Sequence, residues 1–272
     1  EENPNARYLG SPERLFTRYR FNYANKLRFG FTAEKDPGEE FFRGSQANGF
    51  DFYSAHFYAQ DLGIIKQIAL GDFQAQFGQG LTFWSGLAFG RNPNIYTLKR
   101  SAPALVPYSS AQENLFLRGG GISIGKKKWQ LTLFYSKNKA DGNITALDSL
   151  TNEVVFSSIS ESGFHRTPSE LEDKNSIDVS YYGGNLKYEI SNFSIGVTAV
   201  YNEFGGQFIP NTREYTKFRA LSEENAILGL DYNYLYKNLN LFGEISKSID
   251  GGIAYTTGAL LIVHPKLSIA LQ

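Results

Sequence analysis

Four arginines near the start of the chain share one side of a strand pair. Arg14, Arg18 and Arg20 alternate with Leu15, Thr17, Tyr19 and Phe21, and Arg28 alternates with Leu27, Phe29, Phe31 and Ala33. Glu34 lies further along the same side, and Glu244 is a later carboxylate of the same kind. Side chains at every second residue of a strand point one way. Such a row is the chemistry of a charged wall that sorts solutes by field. The plainer alternative is mutual neutralisation, with Asp178, Glu189 and Glu244 as available partners. The three histidines, His56, His165 and His264, are far apart, and no spacing among them makes a metal site or a Ser-His-Asp arrangement. Ser54 and His56 project to one face of a strand, the one pair a hydrolase would use, but no third orienting residue accompanies them. GGGISIG at 119–125 and FGQG at 77–80 have the glycine density of a phosphate loop. Neither has the Lys-Ser/Thr ending or the succeeding helix, and small residues beside a bulge or an inward-folded loop explain them better. No catalytic residue, cofactor or metal ligand is expected, and the chain reads as a non-enzyme.

The elements that carry these residues are strands. Period-two alternation recurs through the chain: Trp129, Leu131, Leu133 and Tyr135 against Gln130, Thr132 and Ser136; Ile195, Val197 and Ala199 against Ser194, Gly196 and Thr198; then Ile253 to Val263. About twelve strands are expected. Short turns at 22–25, 61–63, 126–128, 191–192, 237–238 and 264–266 alternate with mostly long connections. That alternation is the pattern of a transmembrane barrel with tight periplasmic turns and long external loops. Strands of about nine to thirteen residues also suit a tilted crossing of the hydrocarbon layer, where the sheet is expected to close. The expected lipid face includes Leu27, Phe29, Phe31, Leu131, Leu133, Ile195, Val197, Leu241 and Leu261. A change of apolar frame at Gly183 and Gly184 suggests a β-bulge.

Composition agrees. Of 272 residues, 42% are hydrophobic and 15% aromatic, with 17 Tyr, 22 Phe, 2 Trp and 27 Gly, while mean hydropathy is −0.32. Abundant Tyr and Phe match the aromatic girdles of a membrane barrel. Basic and acidic residues balance at 27 each, so a nucleic-acid footprint is absent. There is no Cys and no Met. The polar opening EENPNARYLGSPERL shows no signal peptide, as expected of a processed exported protein.

Residues 70–90 are the stretch around which the rest is organised, a strand that runs into five glycines and a Trp. From residue 78 to residue 114 the sequence is irregular and carries three X-Pro steps. It also holds Phe83, Trp84, Phe89, Tyr96 and Tyr108, too much apolar surface to leave in water. It is expected to be an ordered loop that narrows the lumen. A second long loop is expected over 138–175.

The runs GFDFYSAHFYAQ, ALGDFQAQFGQGLTFWSGLAFG and KRSAPALVPYSSAQENLFLRGGG resemble the barrel region of Bacteroidota outer-membrane proteins. Those proteins often carry helix-hairpin-helix repeats ahead of the barrel. The resemblance covers residues 8–135 and, in general pattern, the remainder; it implies an outer-membrane location and brings no ligand or catalytic residues. The expectation is one all-β domain over 1–272, an antiparallel transmembrane β-barrel. The last strand is short and lacks a terminal aromatic, so the full barrel is expected to have more strands. The functional reading is a porin-like or transport barrel of a Gram-negative outer membrane. The alternative is a scaffolding barrel with a plugged lumen. Outer-membrane lipid, with other outer-membrane or periplasmic subunits, would be its partners.

Overall fold

The computed structural model of the chain describes residues 4–87, 94–147, 154–209 and 223–272. The strands are β1 (Leu15–Tyr23), β2 (Leu27–Lys35), β3 (Phe52–Leu62), β4 (Ile65–Gln76), β5 (Ala104–Pro107), β6 (Leu117–Lys126), β7 (Trp129–Leu147), β8 (Val154–Ser160), β9 (Ile177–Ile190), β10 (Phe193–Phe204), β11 (Gln207–Phe208), β12 (Glu224–Tyr236), β13 (Leu239–Ser248), β14 (Ile253–His264) and β15 (Leu267–Leu271). One short helix, α1 (Pro168–Asp173), starts at a Thr167–Glu170 capping box. Twelve of the strands succeed one another in chain order through a single antiparallel sheet, β1-β2-β3-β4-β6-β7-β9-β10-β12-β13-β14-β15. β5, β8 and β11 stand off that path. Because consecutive strands pair, the six short turns share one end of the sheet and the long connections share the other. The expected closure is not seen: among the described residues no pairing joins β1 to β15. β15 has only five residues to offer, and β1 is exposed along its whole length.

Two faces with different chemistry define the sheet. On the outer one, Phe29, Phe31, Phe57, Leu70, Leu131, Leu133, Leu186, Val197, Leu230 and Ile245 are all exposed. The register sets many of them side by side, Phe31 opposite Ala55, Phe29 opposite Phe57, Leu131 opposite Leu186, Val197 opposite Leu186 and Leu230. Aromatic rings cluster above and below this band. Trp129 lies 4.6 Å from Tyr188 near the short turns, and Tyr135 lies 5.0 Å from Tyr182 towards the other end. From Trp129 to Tyr135 is about 20 Å of strand, of the order of the ~25 Å apolar band of a membrane barrel.

The best-buried core lies inside the curl of the sheet rather than between two layers. Tyr58, Phe73, Phe77, Leu105, Phe134 and Val200 form one cluster, with Phe83 and Tyr181 packed on it. Phe77, Phe83 and Leu105 come from the segment after β4; the others come from inward positions of β3, β4, β7, β9 and β10.

The structure corrects three expectations. β7 does not stop at Lys137 but runs to Leu147 and pairs with β8, so the 138–175 connection contains a hairpin and α1. In this extension Asn138, Asp141 and Asn143 interrupt the apolar alternation and only the small Ala140 packs on the Ile177 cluster, so period two no longer marks the strand. No bulge occurs at Gly183-Gly184, where the register with β7 and β10 is continuous. The frame changes because Val179 and Tyr181 point inward onto apolar clusters. Finally, the 78–114 segment has structure of its own, a 3-10 turn at Ile95–Thr97 and β5, which pairs with β4 from Phe73 to Gln76.

Candidate functional site: a loop pinned inside the sheet

β4 does not simply end at Gln76. The chain reverses over 77–83 and returns along its own strand. Phe77 N donates to the Phe83 carbonyl at 3.3 Å, and Ser85 N donates to the Ala75 carbonyl at 3.1 Å. Gly78 (φ +54°) and Gly80 (φ +81°) take left-handed conformations that make the reversal possible. The turn presents its amides to one carboxylate from the far side of the sheet. Glu244 on β13, 3% exposed, accepts from Gln79 N at 2.6 Å and Leu81 N at 3.1 Å on one oxygen. Its other oxygen accepts from Thr82 N at 2.9 Å and Thr82 Oγ1 at 2.6 Å. A buried charge persists only with such partners, and successive backbone N–H groups in a turn make an anion nest. Space is cleared for the contact: a Cβ at Gly229 would lie 1.8 Å from Thr82 Oγ1.

The pinned segment separates two cavities. On the short-turn side is a polar one of about 490 Å³, where Lys66, Lys99, Arg100 and Lys187 outnumber Asp61 and Asp231. On the other side is an apolar one of about 430 Å³, lined by Phe83, Trp84, Tyr181, Phe204 and Phe208 among others. Asp231 sits directly opposite Glu244 in the sheet register, a like-charge pair on the inward face.

The residues expected to form a charged wall are not one group. Arg14 pairs with Glu34, and its Nε lies 3.4 Å from Asp36. The hydrogen bond to Glu34 holds the Arg14 guanidinium above its ordinary pKa. Arg18 lies over Phe16 at 4.5 Å, and Arg28 over Tyr58 at 5.8 Å. Arg20 donates from Nη2 to the carbonyl and hydroxyl of Ser109, both at 3.1 Å, tying β1 to the returning end of the loop. None of the four pairs with Asp178, Glu189 or Glu244 among the described residues; Glu189 pairs with Lys187, and Glu244 serves the loop.

The aromatics expected at the constriction are also dispersed. Phe83 stacks on Phe134 at 5.1 Å and meets Tyr181 at 5.5 Å. Trp84 bridges to Gln76 and lies under the Arg100 guanidinium at 5.1 Å. Tyr96 is exposed, and its hydroxyl is 2.8 Å from Ser268 Oγ on β15. Tyr108 is buried with Phe52 and Phe116, and burial pushes its hydroxyl up to about 12. Phe89 lies outside the described residues. Ser54 and His56 are not hydrogen-bonded to each other among the described residues, and Ser54 Oγ is buried without a partner.

A second charged centre, invisible in the sequence, joins the long connections. His165 is 3% exposed, with Nδ1 at 2.5 Å from Asp51 Oδ2 and Nε2 at 2.9 Å from Asp141 Oδ2. Lys174 Nζ donates to the other Asp51 oxygen at 2.5 Å, and Glu39 accepts from His165 N at 3.0 Å. Burial opposes the charged ring, yet the bonds to Asp141 and Asp51 raise His165 to about 10. Burial and the neighbouring Asp51 push Glu113 up to about 9. Glu39, Asp51 and His165 place three potential ligand atoms within 4.8 Å of one another. With both ring nitrogens taken by carboxylates and Lys174 on Asp51, the cluster as it stands neutralises itself and acts as a strut. The Gly78–Gly80 spacing is the one sequence signal for the turn; Glu244 is expected only as a carboxylate of the charged wall, and nothing local pairs it with the turn or points to Asp231 or the His165 cluster.

No protein-family model and no curated protein matches the sequence. Among solved structures, the chain is similar to a loop-deletion mutant of OmpT, an outer membrane protein of Vibrio cholerae, with 10% identity, a TM-score of 0.37, and 92% of this chain and 80% of that one covered. It is also similar to a mutant of Rh. blastica porin, with 12% identity, a TM-score of 0.31, and coverage of 94% and 82%. Likeness at this distance assigns neither a family nor an activity.

Proposed function

We propose that the chain is an outer-membrane barrel of a Gram-negative bacterium whose lumen passes small solutes around an inward loop. The observation that carries this reading is the Glu244 nest. It fixes residues 79–82 across the interior, with a cavity on either side, instead of leaving this turn outside the sheet. The exposed apolar band flanked by aromatic rings supports lipid contact, because so large a continuous apolar surface is not left in water. The cationic excess of the polar cavity would favour anionic or polar solutes on that side.

A second reading is favoured by the apolar cluster that buries Phe73, Phe77 and Leu105 almost completely. On that reading the lumen is plugged, and the barrel serves as a scaffold for other outer-membrane or periplasmic subunits. Deleting residues 87–104 and recording in planar bilayers separates the two. A transport barrel gains conductance several-fold. A scaffold shows unchanged conductance and loses a co-purifying subunit.

A further inference from the structure

The apolar cavity of about 430 Å³ is out of character for its place. Inward positions elsewhere along β10 are Ser194, Gly196 and Thr198, whereas at this level they become Val200, Asn202 and Phe204. β9 makes the same change with Tyr181, and β12 with Ile227. The inward loop adds Phe83 and Trp84, and β11 adds Phe208. Its volume is within the roughly 300–1,000 Å³ of single small-molecule pockets. Not one Lys, Arg, Asp or Glu lines it among the described residues.

Within this apolar lining sits a polar exception. Asn202 is 8% exposed and lines the cavity, and its amide makes no hydrogen bond among the described residues. An amide at the wall of such a cavity offers a donor and an acceptor to a molecule within it. Asn225 stands on the adjacent strand opposite Asn202 in the register. Its carbonyl oxygen accepts from Ser248 Oγ at 2.7 Å, and the residue lines the same cavity.

We infer that this cavity is a binding site for one small, uncharged, aromatic or alicyclic molecule bearing a hydrogen-bonding group that meets Asn202. Flat rings would lie against Phe83, Trp84 and Phe208, and a charged solute would be rejected because nothing in the lining compensates its lost hydration. The inference names a ligand class for the side of the loop away from the short turns, distinct from the polar cavity, and rests on the reading of the chain as a lipid-embedded barrel.

The two tryptophans make a direct test. Trp84 lines the cavity, while Trp129 is exposed on the outer face. In phosphatidylcholine vesicles, Trp129→Phe leaves Trp84 as sole reporter, and Trp84→Phe leaves Trp129. The probe is 1-aminoanthracene, which accepts energy from Trp and also dissolves in lipid. Site binding gives saturable quenching of Trp84 while Trp129 falls only in proportion to the probe in the bilayer. Asn202→Leu in the Trp129→Phe background should weaken 1-aminoanthracene about tenfold, the equivalent of one hydrogen bond, and leave anthracene unaffected. Phe208→Arg should abolish the saturable phase. Parallel, non-saturating quenching of both tryptophans would overturn the proposal, as would an Asn202→Leu effect equal for both probes. Brominated lipid separately tests the membrane reading through Trp129: failure there, with saturable Trp84 binding intact, overturns the barrel's lipid embedding and not the site.

Discussion

Replacing Glu244 by Gln removes a charge while keeping shape, and the geometry of the nest fixes the cost. The carboxylate takes two donors on each oxygen. Gln offers one oxygen and turns an NH₂ towards the other pair. The Thr82 hydroxyl can rotate to accept from it, but one backbone N–H then loses its acceptor. Charge-assisted bonds contribute about 1.5–3 kcal/mol each and neutral ones about 1 kcal/mol, so exchanging four of the first for three of the second loses about 3–9 kcal/mol gross, centred near about 6 kcal/mol. Asp231 directly opposite is relieved of a like charge, which offsets about 4 kcal/mol at a separation of about 4 Å and an effective dielectric of about 20. The net of about 2 kcal/mol shifts the pinned-to-released ratio of the loop roughly thirtyfold. The chain has no cysteine, so a single Leu81→Cys reports release through its rate of maleimide modification in reconstituted vesicles. The rate should rise by that factor in the Glu244→Gln background, with added flicker in single-channel records. Glu244→Asp, shorter by one methylene, should fall between. Equal rates within twofold, with unchanged current noise, would show that the carboxylate does not hold the loop.

Two further perturbations probe the outer face and the second charged centre. Val197→Arg, on the outer face between Leu186 and Leu230, should destabilise the folded barrel by about 2–4 kcal/mol in urea titrations in lipid; a neutral effect would mean that this face does not meet hydrocarbon. The His165 cluster should weaken with rising pH. Its folded pKa of about 10 lies above the ordinary histidine value of 6.5, so its contribution is complete below about 6.5 and disappears as pH rises through 10. Glu113, raised to about 9 from 4.5, acts in the same direction, since the folded state holds a proton that the unfolded chain has already released. Hydrogen exchange over residues 161–176 should therefore be slower at pH 6 than at pH 10.5 after correction for intrinsic rates; flat or increasing protection with pH would refute the role given to His165.

The outer face is legible without the fold because local period alone encodes it. Phe29, Leu131, Val197 and Leu261 fall on the outer side because a strand between lipid and a wet interior must alternate, and two residues suffice to show it. The short turns lie at one end because consecutive antiparallel strands leave no other arrangement. The same logic explains where the reading failed. β7 continues past Lys137, where Asp141 is buried and Ala140 packs on the Ile177 cluster, and its sequence loses the alternation that marked it. Gly183 and Gly184 resembled a bulge because the inward side of β9 turns apolar there, where Tyr181 packs on Phe83 of the inward loop, a contact no strand pattern encodes.

The candidate site was legible only in part. Glycines at 78 and 80 and the aromatics after them announced a segment that folds inward. The carboxylate that holds it is 165 residues from Gln79 in the chain. The partners of Asp51 at the other centre, His165 and Lys174, come from a different long connection. Arg14 found Glu34 on the paired strand, while Glu244, assigned to the same wall, faces the loop across the interior. Periodicity records which solvent each side of a strand meets, so it is present in the sequence itself. Which inward residues confront one another depends on the curl of the whole sheet and on the loop within it, and only the tertiary structure brings those surfaces together.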